Sequence, residues 1–147
     1  MKKIIRNILM GVYLLGAMLL VFSCDDKLDV QQVYPFTVTT MPVQKSIVMG
    51  ETAEIRFQLH REGIYEETKY FIRYFQPDGK GILRMADGTV FLPNDLYPLS
   101  GEIFRLYYTS ASTDQQQIDV YIEDSFGQVA QLTFAFNNEN EKEEQKE

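Results

Sequence analysis

At 147 residues the chain is long enough for one domain of ordinary size and too short for two large ones. Apolar residues make up 45% and aromatic residues 13%, against 24% charged, which is enough side-chain area for a core and excludes wholesale disorder. The formal charge is −7, and it becomes −10 (11 basic against 21 acidic) once Lys2, Lys3 and Arg6 leave with the leader segment described next, so a phosphate backbone is repelled and no direct nucleic-acid partner is expected.

Met1 to Arg6 is a short cationic stretch, Ile8 to Phe22 is an uncharged and mostly apolar run, and Ser23-Cys24-Asp25-Asp26 ends it abruptly. Residues 1–23 therefore read as a secretory signal peptide. A helix of fifteen residues reaches about 22 Å, short of the ~30 Å hydrocarbon core, which leaves a permanent transmembrane anchor as the alternative. Cys24 is the only cysteine, so no disulfide can form within the chain. Val21-Phe22-Ser23-Cys24 resembles the bacterial lipoprotein box, with Phe22 bulkier than usual. That resemblance implies lipidation of Cys24 and a membrane partner held through the lipid anchor, whereas ordinary cleavage after Ser23 gives the same first residue without lipid. Two or three acyl chains, at about 0.8 kcal/mol per buried methylene, hold a protein on a bilayer where one is marginal. Residues 24–32 are then the lipidated cysteine and a polar tether. Asp25-Asp26 also resembles the acidic sorting context of Bacteroidota lipoproteins, which points to the outer membrane with the periplasmic or cell-surface side left open.

From Val33 to Phe136 the pattern is alternation broken by turns. Strands are expected at Phe36 to Thr40, Ser46 to Met49, Ala53 to Leu59, Lys69 to Gln76, Ile82 to Met85, Thr89 to Leu92, Ile103 to Thr109, Gln117 to Glu123 and Gln128 to Phe136. Ala53, Ile55, Phe57 and Leu59 form the clearest one-sided face. Met49-Gly50, Pro77 to Gly81, Asp87-Gly88, Pro93-Asn94-Asp95, Ser110 to Asp114 and Asp124 to Gly127 supply turn chemistry between them. No helical stripe is sustained anywhere. The expected fold is all-β, an immunoglobulin-like antiparallel β-sandwich of about seven strands over residues 33–136, with an eight-stranded barrel as the alternative. Residues 137–147, with five Glu, two Lys and no apolar side chain, read as an acidic disordered tail.

The sequence offers no catalytic residue, metal site or cofactor motif. His60 is the only histidine and falls at a strand end beside Arg61-Glu62-Gly63, where it is expected to be exposed. Gly79-Lys80-Gly81 precedes no helix and reads as a turn rather than a nucleotide loop. Asp78, Asp87, Asp95, Asp114 and Asp124 sit in turns, where aspartate caps its own backbone, and lack the dense ligand spacing of a calcium loop.

Binding remains. If Tyr70, Ile72 and Tyr74 face the core, Phe71, Arg73 and Phe75 face outward; if Ile118, Val120 and Ile122 do, Tyr121 faces outward. In a sandwich with these strands in one sheet, Phe71, Arg73, Phe75 and Tyr121 share a face of aromatics around an arginine, the composition of protein-docking hot spots. The competing role is structural, with loops such as Asn94 to Gly101 covering Phe71 and Phe75.

Met41 to Gln44, Gly50 to Phe57, Tyr70 to Gly81, Pro93 to Leu99, Phe104 to Ser110 and Asp124 to Gln128, taken in that order, resemble the TraQ family of conjugative-transposon proteins from Bacteroidota. The resemblance implies a small envelope lipoprotein with an immunoglobulin-like sandwich, no catalytic residues to carry over, and other transfer-apparatus proteins as partners. The expected function is that of a non-catalytic accessory component of a conjugative, type IV-like apparatus acting by protein contact. The alternative is a surface lipoprotein that binds a glycan or other ligand on exposed aromatics such as Tyr65, Tyr97 or Tyr121. A hydrolase requires a carboxylate pair in one cleft.

Overall fold

The computed structural model describes residues 1–7, 33–64 and 66–138. The chain divides into two units, Met1–Gln31 and Gln32–Glu147. In the first, residues 2–7 are helical, and among the described residues no helix is long and apolar enough to cross a membrane. Cys24, the tether, Tyr65 and residues 139–147 lie outside the described residues.

The second unit holds eight strands: β1 Phe36–Thr40, β2 Thr52–Arg61, β3 Tyr70–Asp78, β4 Gly81–Met85, β5 Tyr97–Leu99, β6 Ile103–Ser110, β7 Gln116–Asp124 and β8 Val129–Phe136. They form two four-stranded sheets, β1-β2-β6-β4 and β5-β3-β7-β8, with every named pair antiparallel. Two open sheets rather than one closed wall make this a sandwich and not a barrel.

Period-two alternation builds the layer between the sheets. Ala53, Ile55, Phe57 and Leu59 are buried from the first sheet; Ile72, Tyr74, Ile118, Val120, Ile122, Phe134 and Phe136 are buried from the second. Phe57 lies parallel to Phe104 at 4.9 Å and edge-on to Phe134 at 5.7 Å, which ties the sheets together through rings. Each such side chain contributes about 1.5–3 kcal/mol on burial.

Two expected strands are not strands. Around Ser46 the backbone makes one parallel bridge, to Asn137, and the fully buried Ile47 is an isolated anchor rather than part of a ladder. Residues 89–91 fold back on β4 through Met85 N to Thr89 O and Phe91 N to Leu83 O, 2.9 Å each, so their apolar run reflects one buried residue, Phe91. Conversely, β5 lies where a covering loop was expected, because Pro98 masked a three-residue edge strand. The sandwich also reaches past Phe136: Asn137 N donates to Lys45 O at 2.8 Å, and Asn138, expected in the tail, is buried with its Nδ2 on Thr113 O.

A polar cluster closes one end of the core. Gln76 Nε2 donates to the Tyr108 hydroxyl at 2.7 Å, that hydroxyl donates to Gln116 Oε1 at 2.6 Å, and Gln116 Nε2 donates to Ser110 Oγ at 2.8 Å. Burial pushes the Tyr108 phenol up to about 12. The turn Asp78-Gly79-Lys80-Gly81 presses on this cluster. A Cβ at Gly81 would collide with the Tyr108 ring, and Gly79, at φ 73°, sits against Gln116. These glycines thus serve a sheet-to-sheet crossing, not a phosphate.

Candidate protein-binding face

In the β3–β7 ladder Phe71 stands opposite Glu123, Arg73 opposite Tyr121 and Phe75 opposite Asp119. Because Ile72, Tyr74, Val120 and Ile122 point into the core, all of these side chains project from the outer surface of the same sheet. The structure therefore brings Phe71, Arg73, Phe75 and Tyr121 together.

Arg73 organises the face. Its guanidinium carbon lies 5.5 Å from the Tyr121 ring centre and 5.9 Å from that of Phe75, and those rings meet edge-on at 5.6 Å. Arg73 Nη2 pairs with Glu123 Oε1, and Nη1 donates to Asn94 Oδ1 at 3.4 Å. The ion contact lacks hydrogen-bond alignment, so Glu123 Oε1 is held by charge alone, and Arg73 Nε is buried without a hydrogen-bond partner. Each cation–π contact at such a site contributes about 0.5–1 kcal/mol. The rings, Glu123 and Asn94 restrain the guanidinium from three directions, which reduces the entropy lost when a partner lands on it.

The competing covering role applies in part. Pro98 of β5 stands opposite Phe71, which is half-buried, while Phe75 remains 37% exposed. Beyond Tyr121 the face continues through Asp119, which accepts from Thr133 Oγ1 at 2.6 Å and Gln117 Nε2 at 3.2 Å, to Gln131 and Val129 of β8. Alternation puts Asp119 and Glu123 outside with Tyr121, and the Asn94 to Gly101 segment was expected as a covering loop; the contacts of Glu123 and Asn94 with Arg73 and the pairing of Pro98 with Phe71 were not foreseen. Alternation alone marks Glu123 as outward, but its partner is set by register between strands 50 residues apart.

Of the aromatics offered for ligand stacking, Tyr97 faces the other way. It stands opposite Ile72, its ring lies 4.5 Å from buried Phe91, and its hydroxyl accepts from Leu92 N at 2.9 Å, so it packs the core edge and presents no platform. Tyr65 lies outside the described residues. His60 is exposed on the other sheet, 3.0 Å from Thr39 Oγ1, and among the described residues no three His, Cys, Asp or Glu converge as metal ligands. Asp87 and Asp124 cap their own turns: Asp87 accepts from Thr89 N at 2.9 Å, which holds its carboxyl below the usual carboxylate range, and Asp124 Oδ1 accepts from Phe126 N and Gln128 N at 2.9 and 2.8 Å. A cleft of about 260 Å³ opens at one end of the sandwich beside Arg61, Tyr70 and Ser100. Its single carboxylate, Glu102, is paired with Arg61.

Fold and face together define a small two-layer antiparallel β-sandwich domain with an ordered outer sheet surface. The chain belongs to the TraQ conjugal transfer protein family, whose model matches residues 7–139. It is a conjugative-transposon lipoprotein of that family and hence membrane-anchored, and the family is not a known enzyme family. A lipoprotein from Bacteroides thetaiotaomicron, solved by NMR, is 70% identical over 84% of this chain and 95% of its own, with a TM-score of 0.69. A conjugative transposon lipoprotein from Bacteroides eggerthii, solved by crystallography, is 50% identical over 72% of this chain and 100% of its own, with a TM-score of 0.68. A conjugate transposon protein from Bacteroides vulgatus is 54% identical over 76% of this chain and 91% of its own, with a TM-score of 0.65. Comparison with curated proteins gives no match.

Proposed function

We propose that the protein is a non-catalytic accessory component of the conjugative transfer apparatus, lipid-anchored through Cys24 at the outer membrane, and that it acts by docking another apparatus protein on the Phe71, Arg73, Phe75 and Tyr121 face. The observation that carries this reading is the arginine held between two rings, a carboxylate and an amide on an otherwise open sheet surface. Core packing requires no such assembly on the solvent side. The fold is read as immunoglobulin-like in the same spirit: with β5 set aside, β1-β2-β6-β4 facing β3-β7-β8 follows the ABED and CFG order of constant-type domains.

The test is donor-to-recipient transfer frequency in a strain deleted for the gene and complemented with wild type, Phe75→Ser or Tyr121→Ser. Both side chains project from the outer sheet surface, so folded and membrane-bound variants are expected. Transfer should fall at least about ten-fold, the effect of losing one hot spot. Undiminished transfer in the deletion strain removes the apparatus role. Full transfer by both folded variants removes the face.

A further inference from the structure

A β-sandwich made of two open sheets has four edges, and each exposes unpaired N–H and C=O groups to any strand that comes by. Three of these are guarded. The β1 edge is five residues long and sits between Pro35 and Pro42. The β5 edge is three residues with Pro98 at its centre, and residues 89–91 pair with the β4 edge. The fourth edge, β8, runs eight residues, Val129-Ala130-Gln131-Leu132-Thr133-Phe134-Ala135-Phe136, with no charge, proline or glycine. Among the described residues β1 of the facing sheet comes close to it, and the backbone hydrogen bonds on its outer side lie at its end, where Asn137 N donates to Lys45 O and Asn137 O accepts from Ile47 N.

Those two bonds fix the direction of the rest. Backbone groups along a strand alternate sides, and β8 keeps an unbroken register with β7 from Phe136 back to Val129. If Asn137 points away from β7, so do Ala135, Thr133, Gln131 and Val129. The same four residues carry their side chains on the outer surface, where Val129 is 53% exposed. A strand added here would therefore bond to their backbones and lay every second side chain beside Gln131 and Thr133, in continuation of the Tyr121 face.

Charge selects the occupant. The adjoining surface holds Asp119 and Glu123 against one guanidinium, Arg73, and the chain continues beyond the edge with five Glu and two Lys in residues 139–147. A second copy would bring the same excess of acid, so self-pairing opposes itself electrostatically. We propose that β8 accepts an extended segment of a partner protein, bearing lysine or arginine at alternate positions, as a ninth strand. The inference rests on the protein-contact reading above and adds to it the mode of contact and the chemistry of the partner.

The test compares Gln131→Pro with Gln131→Ala in the full-length lipoprotein. Proline at 131 removes an N–H that the β7 ladder does not use and places its ring in the path of an added strand. Both variants should unfold within about 2 °C of the parent. Gln131→Pro should lower transfer at least about ten-fold below the level of Gln131→Ala, which trims the same side chain but keeps the edge N–H. Parental transfer by a folded Gln131→Pro overturns the inference; if Tyr121→Ser still abolishes transfer, the face stands without the edge. Should Gln131→Pro fail to fold, titration of the detergent-solubilised parent with a capped eight-residue peptide alternating valine and lysine decides. Binding at least about ten-fold tighter than that of the valine–glutamate counterpart supports the proposal, and equal or absent binding of both overturns it. A parent that sediments as a dimer which Gln131→Pro splits into monomers overturns it in favour of a second copy.

Discussion

Tyr108 shows how one residue sets both a local geometry and a pH limit. Its ring is fully buried and lies parallel to Phe136 at 5.2 Å, while its hydroxyl sits between Gln76 and Gln116. Replacing it by Phe keeps the ring and strands Gln116 Oε1, a buried acceptor. Tyr108→Phe is expected to lower the unfolding free energy by about 1–3 kcal/mol, the cost of an unsatisfied buried group, measured by urea titration. The same burial makes stability depend on alkaline pH. The native phenol titrates at about 12 against 10 in the unfolded chain, so the unfolded state loses its proton first. The contribution is complete below about pH 10, declines above it and is gone past about pH 12, amounting to the order of 2–3 kcal/mol. Urea midpoints at pH 8, 10 and 11 should fall accordingly in the parent and less in Tyr108→Phe, where Tyr70 and Tyr74, also pushed up by burial, keep the remaining slope. A flat parental profile would show that Tyr108 ionises as freely in the fold as outside it.

At the scale of the element, the crossing from β3 to β4 is sensitive to substitution, because Asp78 to Gly81 carry the chain from one sheet to the other over the Tyr108 cluster. Gly81→Ala puts a methyl group into the Tyr108 ring, where neither the ring nor the backbone has room to yield. A loss of about 1–3 kcal/mol is expected, the usual cost of overpacking, whereas Gly88→Ala, in an open turn at φ 93°, meets no atom and costs only its backbone strain, about 1–2 kcal/mol. Thermal melts of the two variants, and of each combined with Tyr108→Ala, separate collision from strain: only the Gly81 defect should be relieved by removing the ring. The turn itself was legible from Pro77 to Gly81, and the strands were legible wherever alternation ran five residues or more, as in β2 and β7. What failed was short. Ser46 to Met49 and Thr89 to Leu92 look like strands because one buried residue in each, Ile47 and Phe91, brings apolar neighbours with it, and β5 hid behind its proline. The outward grouping of Phe71, Arg73, Phe75 and Tyr121 followed from alternation together with the expected placement of their two strands in one sheet. The Glu123 and Asn94 partners did not, since they depend on register and on a loop held through Asn94 N to Tyr74 O at 2.9 Å.

At the scale of the whole molecule, the anchor proposed at Cys24 lies outside the stretch of sequence that supplies the described core. Among the described residues the buried core runs from Ile47 to Phe136, and the earliest residues packed against it are Phe36 and Val38. The sandwich receives the chain at the end where Pro35 O accepts from Glu62 N and Tyr34 O accepts from Gln128 Nε2, both at 3.0 Å. Cys24→Ala is therefore expected to leave the unfolding midpoint of the domain within about 2 °C of the parent. It should shift the protein from the detergent to the aqueous phase on Triton X-114 partition. The effect on transfer follows from concentration. Acyl chains confine the domain to a thin layer at the membrane, where an effective concentration near the millimolar range sustains a contact that one modest face cannot sustain in dilute solution. Transfer complemented by Cys24→Ala should fall at least about ten-fold although the docking face is intact. Overproducing the released form should then recover part of the loss, because added concentration replaces the missing anchor. A Cys24→Ala protein that is folded, released and fully active at ordinary expression would mean that the contact is tight enough to need no membrane.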